Sequence, residues 1–241
     1  MSNRVAIVTG GTRGIGGAIS IALKQADVRV AATYAGNDDA ARAFSDETGI
    51  PTYKFDVAEY EACTGAVAQI EKDLGPVEIL VNNAGITWDA PFHKMAPEAW
   101  TKVIETDLTS AYNMTHAVWS GMRDRGFGRI VNISSINGQK GQFTQANYSA
   151  AKAGLMGFTK ALAAEGARKG ITVNTICPGY IDTDMMKAVK DEVLQGIIAQ
   201  IPVGRLGRAE EVARGVLFLV DDDAGFVTGS TVSINGGQHM Y

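Results

Sequence analysis

Cysteine is scarce in this sequence, and clustered metal-ligand residues are missing. Cys63 and Cys177 are the two cysteines among 241 residues, and neither belongs to a C-x-x-C motif or a Cys/His cluster. Neither a disulfide framework nor a zinc site is therefore expected. His93, His116 and His239 have no metal-ligand spacing either, so the sequence predicts no metal site.

The sequence also lacks a bilayer-spanning apolar run and a signal-peptide hydrophobic region. Lys and Arg total 22 against 26 for Asp and Glu, and the net charge of -4 argues against nonspecific binding to nucleic acid or to a membrane surface. No Pro/Ser-rich linker or low-complexity segment interrupts residues 1–241. We therefore expect one globular domain in the cytoplasm, with neither nucleic acid nor membrane as a partner.

Short apolar runs rich in β-branched residues alternate with longer segments of helical spacing. This alternation requires crossover connections, and it predicts an α/β fold with a doubly wound, Rossmann-type parallel sheet and helices on both faces. Ligands of such sheets bind beyond the carboxyl ends of the strands. Seven strands are predicted, at Arg4–Thr9, Val28–Tyr34, Thr52–Phe55, Val77–Val81, Arg129–Ser134, Ile171–Ile176 and Thr231–Asn235. Helices are predicted at Ile15–Ala26, Tyr60–Leu74, Pro97–Arg125, Tyr148–Arg168 and Glu210–Val220.

A glycine-rich turn, TGGTRGIG at residues 9–16, follows the first predicted strand and opens a helix. Glycines there let the backbone approach a pyrophosphate, and the helix N-terminus offers free N–H groups, so a dinucleotide site is predicted. An ordinary turn is the alternative. The second strand ends at Tyr34 without a carboxylate for a ribose hydroxyl, and Arg13 could pair with a 2′-phosphate, which favours NADP(H) over NAD(H). Arg13 could instead be solvated, and Asn37 or Asp38 would cap the next helix.

Two further motifs follow the third and fourth predicted strands. Asp56, which precedes Val57, could accept a hydrogen bond from an adenine amino group or cap the helix at Tyr60. NNAG at residues 82–85 follows the next strand. Because the carboxyl ends of parallel strands share one edge, both motifs should lie beside the glycine-rich turn.

Tyr148 and Lys152 are four residues apart on a predicted helix and therefore share one face. Alone, the pair could be a packed tyrosine beside a solvated lysine. Reduction of a ketone needs a proton donor and hydrogen-bond donors aimed at the developing alkoxide. Tyr148 would donate the proton, and the ammonium of Lys152 would lower its pKa from about 10. Ser135, after the fifth strand, would bind the carbonyl oxygen. The alternative is a strand-end hydroxyl, which would suit Ser134 equally well, and only spacing selects Ser135.

These motifs, together with PGYIDTDM at residues 178–185, resemble the classical short-chain dehydrogenase/reductase family over the whole chain. Residues 136–154 and the NGGQHM ending are most similar to its NADPH-dependent acetoacetyl-CoA reductases, and next to its 3-oxoacyl-[acyl-carrier-protein] reductases. The resemblance implies a homotetramer that reduces acetoacetyl-CoA to (R)-3-hydroxybutyryl-CoA, as in polyhydroxybutyrate synthesis, with hydride from the nicotinamide and the proton from Tyr148. A carrier-protein thioester reductase and a catalytically weak dinucleotide-binding regulatory protein are the alternatives.

The resemblance also implies which residues contact each ligand. Lys152 would hydrogen-bond the nicotinamide ribose, and Tyr148 would lie beside the cofactor. The other implied NADP(H) contacts are Gly10, Thr12, Arg13, Gly14, Ile15, Gly16, Tyr34, Asp56, Val57, Asn83, Ala84, Gly85, Pro178, Gly179, Ile181 and Thr183. The implied acyl-CoA contacts are Asp89, Gln142, Phe143, Gln145 and Tyr180.

Asp107, in the stretch Asp107-Leu108-Thr109, stands where the family usually has asparagine, whose carbonyl holds a water linked to the catalytic lysine. A carboxylate near Lys152 would partly cancel the field that lowers the pKa of Tyr148, so Asp107 is included among the candidate catalytic residues. The alternative is that Asp107 points elsewhere.

One segment is expected to cover the cofactor, and one set of apolar residues is expected to lie at a subunit interface or in the core. Residues 180–205, which include Met185, Met186, Ile197 and Ile198, are expected to form a lid over the cofactor, although a packed helical excursion would look similar. Apolar residues on two long helices could face another subunit or the core of a monomer. They are Val103, Leu108, Ala111, Val118, Leu155, Met156, Phe158 and Leu162.

Overall fold

The computed structural model describes residues 1, 3–183, 186 and 191–240. One parallel sheet of seven strands runs through them in the order β3-β2-β1-β4-β5-β6-β7, which confirms the predicted doubly wound sheet. Strand order reverses between β1 and β4, so the ligand crevice is expected beyond their carboxyl ends. The strands are β1 (Val5–Val8), β2 (Arg29–Tyr34), β3 (Thr52–Lys54), β4 (Val77–Asn82), β5 (Gly128–Ile133), β6 (Ile171–Pro178) and β7 (Thr231–Ile234).

Helices cover both faces of the sheet because successive strand side chains point to opposite sides. In β1, Ala6 and Val8 pack into one apolar core cluster, whereas Val5 and Ile7 pack into the other. The helices are α1 (Gly14–Gln25), α2 (Asp38–Thr48), α3 (Tyr60–Leu74), α4 (Pro97–Ile104), α5 (Ser110–Arg125), α6 (Ile136–Lys140), α7 (Ala146–Gly166), α8 (Asp191–Ala199) and α9 (Ala209–Val220). None of the described helices is long and apolar enough to cross a membrane.

The helix predicted at Pro97–Arg125 contains a change of geometry. A π-helical turn at Glu105–Thr109 joins α4 to α5 and carries Asp107 into the interior. Such turns occur often at functional sites. The periodicity of the sequence did not reveal this turn, nor the short helix α6.

The segment predicted as a lid is pinned at its base. The N–H of Gly207 donates to the carbonyl of Tyr180 at 2.9 Å, and the N–H of Asp182 donates to the carbonyl of Gly207 at 2.8 Å. α8 has no buried residue. Residues 184–185 and 187–190, with Met185 among them, lie outside the described residues.

The apolar residues that could face another subunit divide into two groups. Val103, Ala111, Val118 and Leu155 are buried within the chain. Part of the surface of the other four is exposed, namely Leu108, Met156, Phe158 and Leu162. Only the second group remains available to a partner.

Candidate active site

Tyr148, Lys152 and Asp107 meet beyond the carboxyl end of β5. The Lys152 Nζ lies 5.5 Å from the centroid of the Tyr148 ring and 3.2 Å from the Asp107 Oδ2. Lys152 also donates to the carbonyl of Ile133 at 3.1 Å, and the Asp107 Oδ1 accepts from the N–H of Ile86 at 2.8 Å. Both charged side chains are buried, with 4% and 0% of their surfaces exposed. The alternative in which Asp107 points elsewhere is therefore wrong.

Burial and charge act against each other in this cluster. Burial raises the pKa of Tyr148, Lys152 lowers it, Asp107 raises it again, and the net direction is upward. The expectation of a net lowered pKa for Tyr148 is thus wrong, although the influence of Lys152 has the expected sign. Burial disfavours the charged form of Lys152 and by itself would lower its pKa. Asp107 and Tyr148 outweigh the effect of burial, so the pKa of Lys152 is raised. Burial raises the pKa of Asp107, and this effect is larger than the lowering caused by the positive charge of Lys152.

Two neighbouring serines have different partners. The Ser134 hydroxyl donates to the carbonyl of Lys152 at 2.7 Å, so it anchors α7 to the sheet. Ser135 caps α6, and its hydroxyl acts to lower the pKa of the Tyr148 phenol against the larger effect of burial. The geometry therefore favours Ser135 as the partner of a substrate oxygen.

Gly85 of the NNAG turn packs directly against the ion pair. A Cβ at this position would lie 2.6 Å from the Asp107 Oδ2 and 3.1 Å from the Lys152 Nζ. Only a residue without a side chain fits there while Asp107 and Lys152 stay in contact. The NNAG turn is therefore packed against the candidate catalytic residues Asp107 and Lys152.

The glycine-rich turn is held by Asn83 and Thr9. The Asn83 Nδ2 donates to the carbonyls of Thr9 and Gly10, at 2.9 and 3.2 Å. The Thr9 hydroxyl in turn accepts from the N–H groups of Asn83 and Ala84, both at 2.9 Å. Helix α1 begins after Arg13 without a side-chain cap. Its first N–H groups therefore suit the pyrophosphate of a dinucleotide.

Gly16→Ala is expected to weaken binding of a nicotinamide dinucleotide by at least about 10-fold, because the turn must move to admit a methyl group. A Cβ on Gly16 would lie 2.1 Å from the Gly10 carbonyl oxygen and 2.5 Å from the Asn83 Nδ2. Titration of nicotinamide fluorescence measures the affinity. Gly65→Ala is the matched control, since a Cβ there meets nothing within 4 Å; equal affinities for the two variants would contradict this role of the turn.

The end of β2 carries a small charged cluster. The Lys54 Nζ lies 2.8 Å from the Asp38 carboxylate, which also acts on the Tyr34 phenol. Burial, followed by Asp38, raises the pKa of Tyr34. Arg13 is exposed. Asn37 caps α2, as one of the two predicted alternatives requires, by accepting from the N–H of Ala40 at 3.0 Å.

Asp56 does not cap the helix at Tyr60, because Glu59 occupies the N-cap position. The Asp56 Oδ1 accepts from the N–H of Ala58 at 2.9 Å, and its Oδ2 lies 3.5 Å from the Lys102 Nζ. The neighbouring Val57 is buried, and its carbonyl accepts from Asn113 at 3.0 Å. The reading of Asp56 as an adenine acceptor stays a prediction.

The remaining predicted cofactor and substrate residues lie at the same edge. Pro178 ends β6, and the Gly179 N–H donates to the carbonyl of Ile234 at 2.9 Å. Ile181 forms the bridge to Gly207, and a Cβ on Gly14 would lie 3.7 Å from the Thr183 methyl group. Thr12 and Ile15 lie in the turn and in the first residues of α1.

An apolar cleft of about 280 Å³ opens beside α7. Gln142 and Phe143 line it together with Phe92, and the side chain of Phe143 is 81% exposed. Gln145 donates to Asp89 at 2.9 Å, and these two residues are chain neighbours of the lining residues Thr144 and Ala90. Tyr180 follows the end of β6 at the carboxyl edge of the sheet. Four of the five predicted substrate residues thus lie in or next to this cleft.

Sequence reasoning missed two asparagines that build the site. The Asn147 Nδ2 donates to the carbonyls of Trp88 and Ala99, at 3.1 and 3.0 Å, and so ties the loop before α4 to the start of α7. Asn137 lies in α6 between Ser135 and Gln145. The available signal was their position in the sequence, since Asn147 directly precedes Tyr148 and Asn137 comes two residues after Ser135.

Comparisons with known proteins agree over nearly the whole chain. A family model described as enoyl-(acyl carrier protein) reductase matches residues 10–239. The chain is 69% identical to an acetoacetyl-CoA reductase of Rhizobium meliloti (strain 1021) over 239 residues, which cover 99% of each protein. It is 67% identical to an acetoacetyl-CoA reductase of Paracoccus denitrificans, with 98% of each covered. A 3-oxoacyl-[acyl-carrier-protein] reductase of Haemophilus influenzae is 43% identical, with 100% of each covered.

Proposed function

The chain belongs to the short-chain dehydrogenase/reductase family, and from that premise we propose that it reduces acetoacetyl-CoA to (R)-3-hydroxybutyryl-CoA with NADPH. The observation that carries the proposal is the meeting of Ser135, Tyr148 and Lys152 at one sheet edge beside the glycine-rich turn. High identity to acetoacetyl-CoA reductases supports the choice of substrate.

The hydroxyl groups act on the ketone oxygen. Ser135 donates a hydrogen bond to that oxygen and holds it next to the Tyr148 phenol, which donates its proton as negative charge develops. The raised pKa keeps the phenol protonated at neutral pH, as a proton donor must be. The Lys152 ammonium stabilises the phenolate that remains.

The turn and the sheet edge suit a nicotinamide dinucleotide. The uncapped N-terminus of α1 would bind the pyrophosphate, and Lys152 would bind the nicotinamide ribose. When bound, the cofactor supplies the hydride. Arg13, exposed beside the turn, supports NADP(H), because its guanidinium can pair with the 2′-phosphate.

Asp107→Asn is expected to move the alkaline limb of the reduction rate to lower pH and to raise turnover at neutral pH. Asparagine keeps an acceptor for the Ile86 N–H but removes the negative charge of Asp107. In the wild-type protein that charge raises the pKa of Tyr148. Without that charge the pKa falls, so the phenol becomes a stronger acid and loses its proton at lower pH. A pH profile of the turnover number measures the shift, and an unchanged profile would show that the carboxylate is irrelevant.

We extend the proposal to the location, the oligomeric state and the lid of the enzyme. We infer a cytoplasmic homotetramer that takes part in polyhydroxybutyrate synthesis, with residues 180–205 as the lid over the cofactor. The partly exposed Leu108, Met156, Phe158 and Leu162 supply an apolar surface for a second subunit. The paired backbone of Tyr180, Asp182 and Gly207 supplies a fixed base for lid movement.

A substrate comparison tests the proposed activity. NADPH consumption is measured with acetoacetyl-CoA and with the acetoacetyl thioester of an acyl-carrier protein, under identical conditions. The proposal requires a larger kcat/KM for the CoA thioester. A larger value for the carrier-protein thioester would assign the protein to fatty-acid synthesis, and no turnover of either would identify a regulatory dinucleotide-binding protein.

A further inference from the structure

Asp38 returns a carboxylate to the end of β2. The strand itself ends at Tyr34, and Asp38 follows four residues later as the first residue of α2. Lys54 ends β3 and is the partner of Tyr34 in the register of the sheet. The Lys54 Nζ lies 2.8 Å from the Asp38 Oδ2, so one ion pair lies across the carboxyl ends of both strands. The spacing of the sequence, in which no carboxylate ends the second strand, did not reveal this pair.

The ion pair lies where a dinucleotide fold distinguishes two cofactors. In such folds the end of the second strand, about 20 residues beyond the glycine-rich turn, meets the adenosine ribose. A carboxylate there accepts from the ribose 2′-hydroxyl of NAD(H), whereas the 2′-phosphate of NADP(H) needs positive charge. The Gly11 N–H donates to the carbonyl of Thr33 at 3.0 Å, so the glycine-rich turn is joined directly to this strand end. Asp38 and Lys54 therefore favour different cofactors from one position.

Both members of the pair are open to an incoming ligand. The side chain of Lys54 is 51% exposed, and that of Asp38 is 52% exposed. Lys54 holds the pKa of Asp38 below its ordinary value, so the carboxylate is charged at neutral pH. An ion pair this exposed adds little to the stability of a fold. Its main effect is therefore on the charge that a cofactor meets at the end of β2.

We propose that Lys54 determines the cofactor specificity, because it offsets the charge of Asp38 and supplies an ammonium for the 2′-phosphate of NADP(H). The inference rests on the proposed use of NADPH. A phosphate monoester carries about −1.5 to −2 charges at pH 7, so an unpaired Asp38 would repel it and Lys54 attracts it. The lysine side chain is flexible and has three N–H donors, so Lys54 can turn from Asp38 to a phosphate. The neutral 2′-hydroxyl of NADH is much less sensitive to either charge.

Lys54→Met and Asp38→Asn test the inference through cofactor binding, without a substrate. Titration of nicotinamide fluorescence gives the dissociation constants for NADPH and NADH. Lys54→Met is expected to weaken NADPH binding by at least about 10-fold, as the loss of one charge-assisted hydrogen bond implies, and NADH binding by less than about 3-fold. Asp38→Asn is expected to strengthen NADPH binding by about 3-fold or more, because it removes a repulsive charge and frees Lys54. It should leave NADH binding within about 3-fold of the wild-type value.

The signs of the two effects separate this role from a structural one. If the ion pair only held the loop before α2, its loss from either side would loosen the same loop. Lys54→Met and Asp38→Asn would then both weaken binding, and NADPH and NADH would be affected alike. In the proposed role the two substitutions act in opposite directions, and only on the cofactor that carries the phosphate.

Lys72→Met is the matched control, because Lys72 is exposed in the last turn of α3, away from the carboxyl ends of the strands. It removes the same charge and should change neither dissociation constant. The inference is overturned if Lys54→Met keeps the wild-type preference for NADPH, or if Lys54→Met and Asp38→Asn change NADPH affinity in the same direction. A wild-type protein that binds NADH more tightly than NADPH would instead contradict the use of NADPH in the proposed function.

Discussion

Tyr148→Phe is expected to lower the turnover number for ketone reduction by at least about 100-fold, since a positioned general acid contributes about 10² to 10⁴-fold. Phenylalanine keeps the ring that lies beside Lys152 but removes the phenol hydroxyl, whose pKa Ser135 acts to lower. Hydride transfer to the ketone would then form an alkoxide with no proton donor beside it. NADPH affinity should be nearly intact, because the glycine-rich turn is unchanged.

The measurement is steady-state turnover together with the NADPH dissociation constant for each variant. Tyr112→Phe is a matched control, because Tyr112 is exposed on α5 and stacks with Tyr60 away from the site. It should keep wild-type turnover. Comparable turnover by Tyr148→Phe would remove Tyr148 from the proposed mechanism.

Lys152→Met is expected to abolish most of the turnover and also to destabilise the fold by about 3–5 kcal/mol, as when one partner of a buried ion pair is removed. Methionine fills much of the volume of lysine but leaves the Asp107 carboxylate, 0% exposed, without its positive partner. The carbonyl of Ile133 also loses its hydrogen-bond donor. Urea denaturation measures the change in the free energy of unfolding.

A second substitution separates the two effects of Lys152. In Asp107→Asn/Lys152→Met no charge remains buried at this position, so most of the lost stability should return while turnover stays low. Lys160→Met, exposed two turns further along α7, is the control and should change neither quantity. Equal stabilities of the single and double variants would show that Asp107 is not held as a carboxylate by Lys152.

The fold and the position of the site were predictable because they depend on patterns that are local in sequence. Apolar runs such as Val77–Asn82 alternate with helical segments, and parallel strands then bring their carboxyl ends to one edge. The glycine turn, the NNAG turn and Ser135 had to gather there for that reason. The spacing of Tyr148 and Lys152 placed both on one face of α7.

The electrostatics of the site depend on contacts between distant segments, which no spacing encodes. A π-helical turn carries Asp107 to 3.2 Å from Lys152, and Gly85 leaves the room for it. The sequence predicted the sign of each neighbour's influence on Tyr148 but could not give the extent of burial. Burial is the reason that the pKa of Tyr148 is raised instead of lowered.

The most direct test is the product formed from acetoacetyl-CoA by the purified wild-type protein with NADPH. The proposed function predicts one (R)-3-hydroxybutyryl-CoA for each NADPH oxidised, with saturation in both substrates. A folded protein that binds NADPH but forms no 3-hydroxybutyryl-CoA, or forms the (S) product, would contradict it.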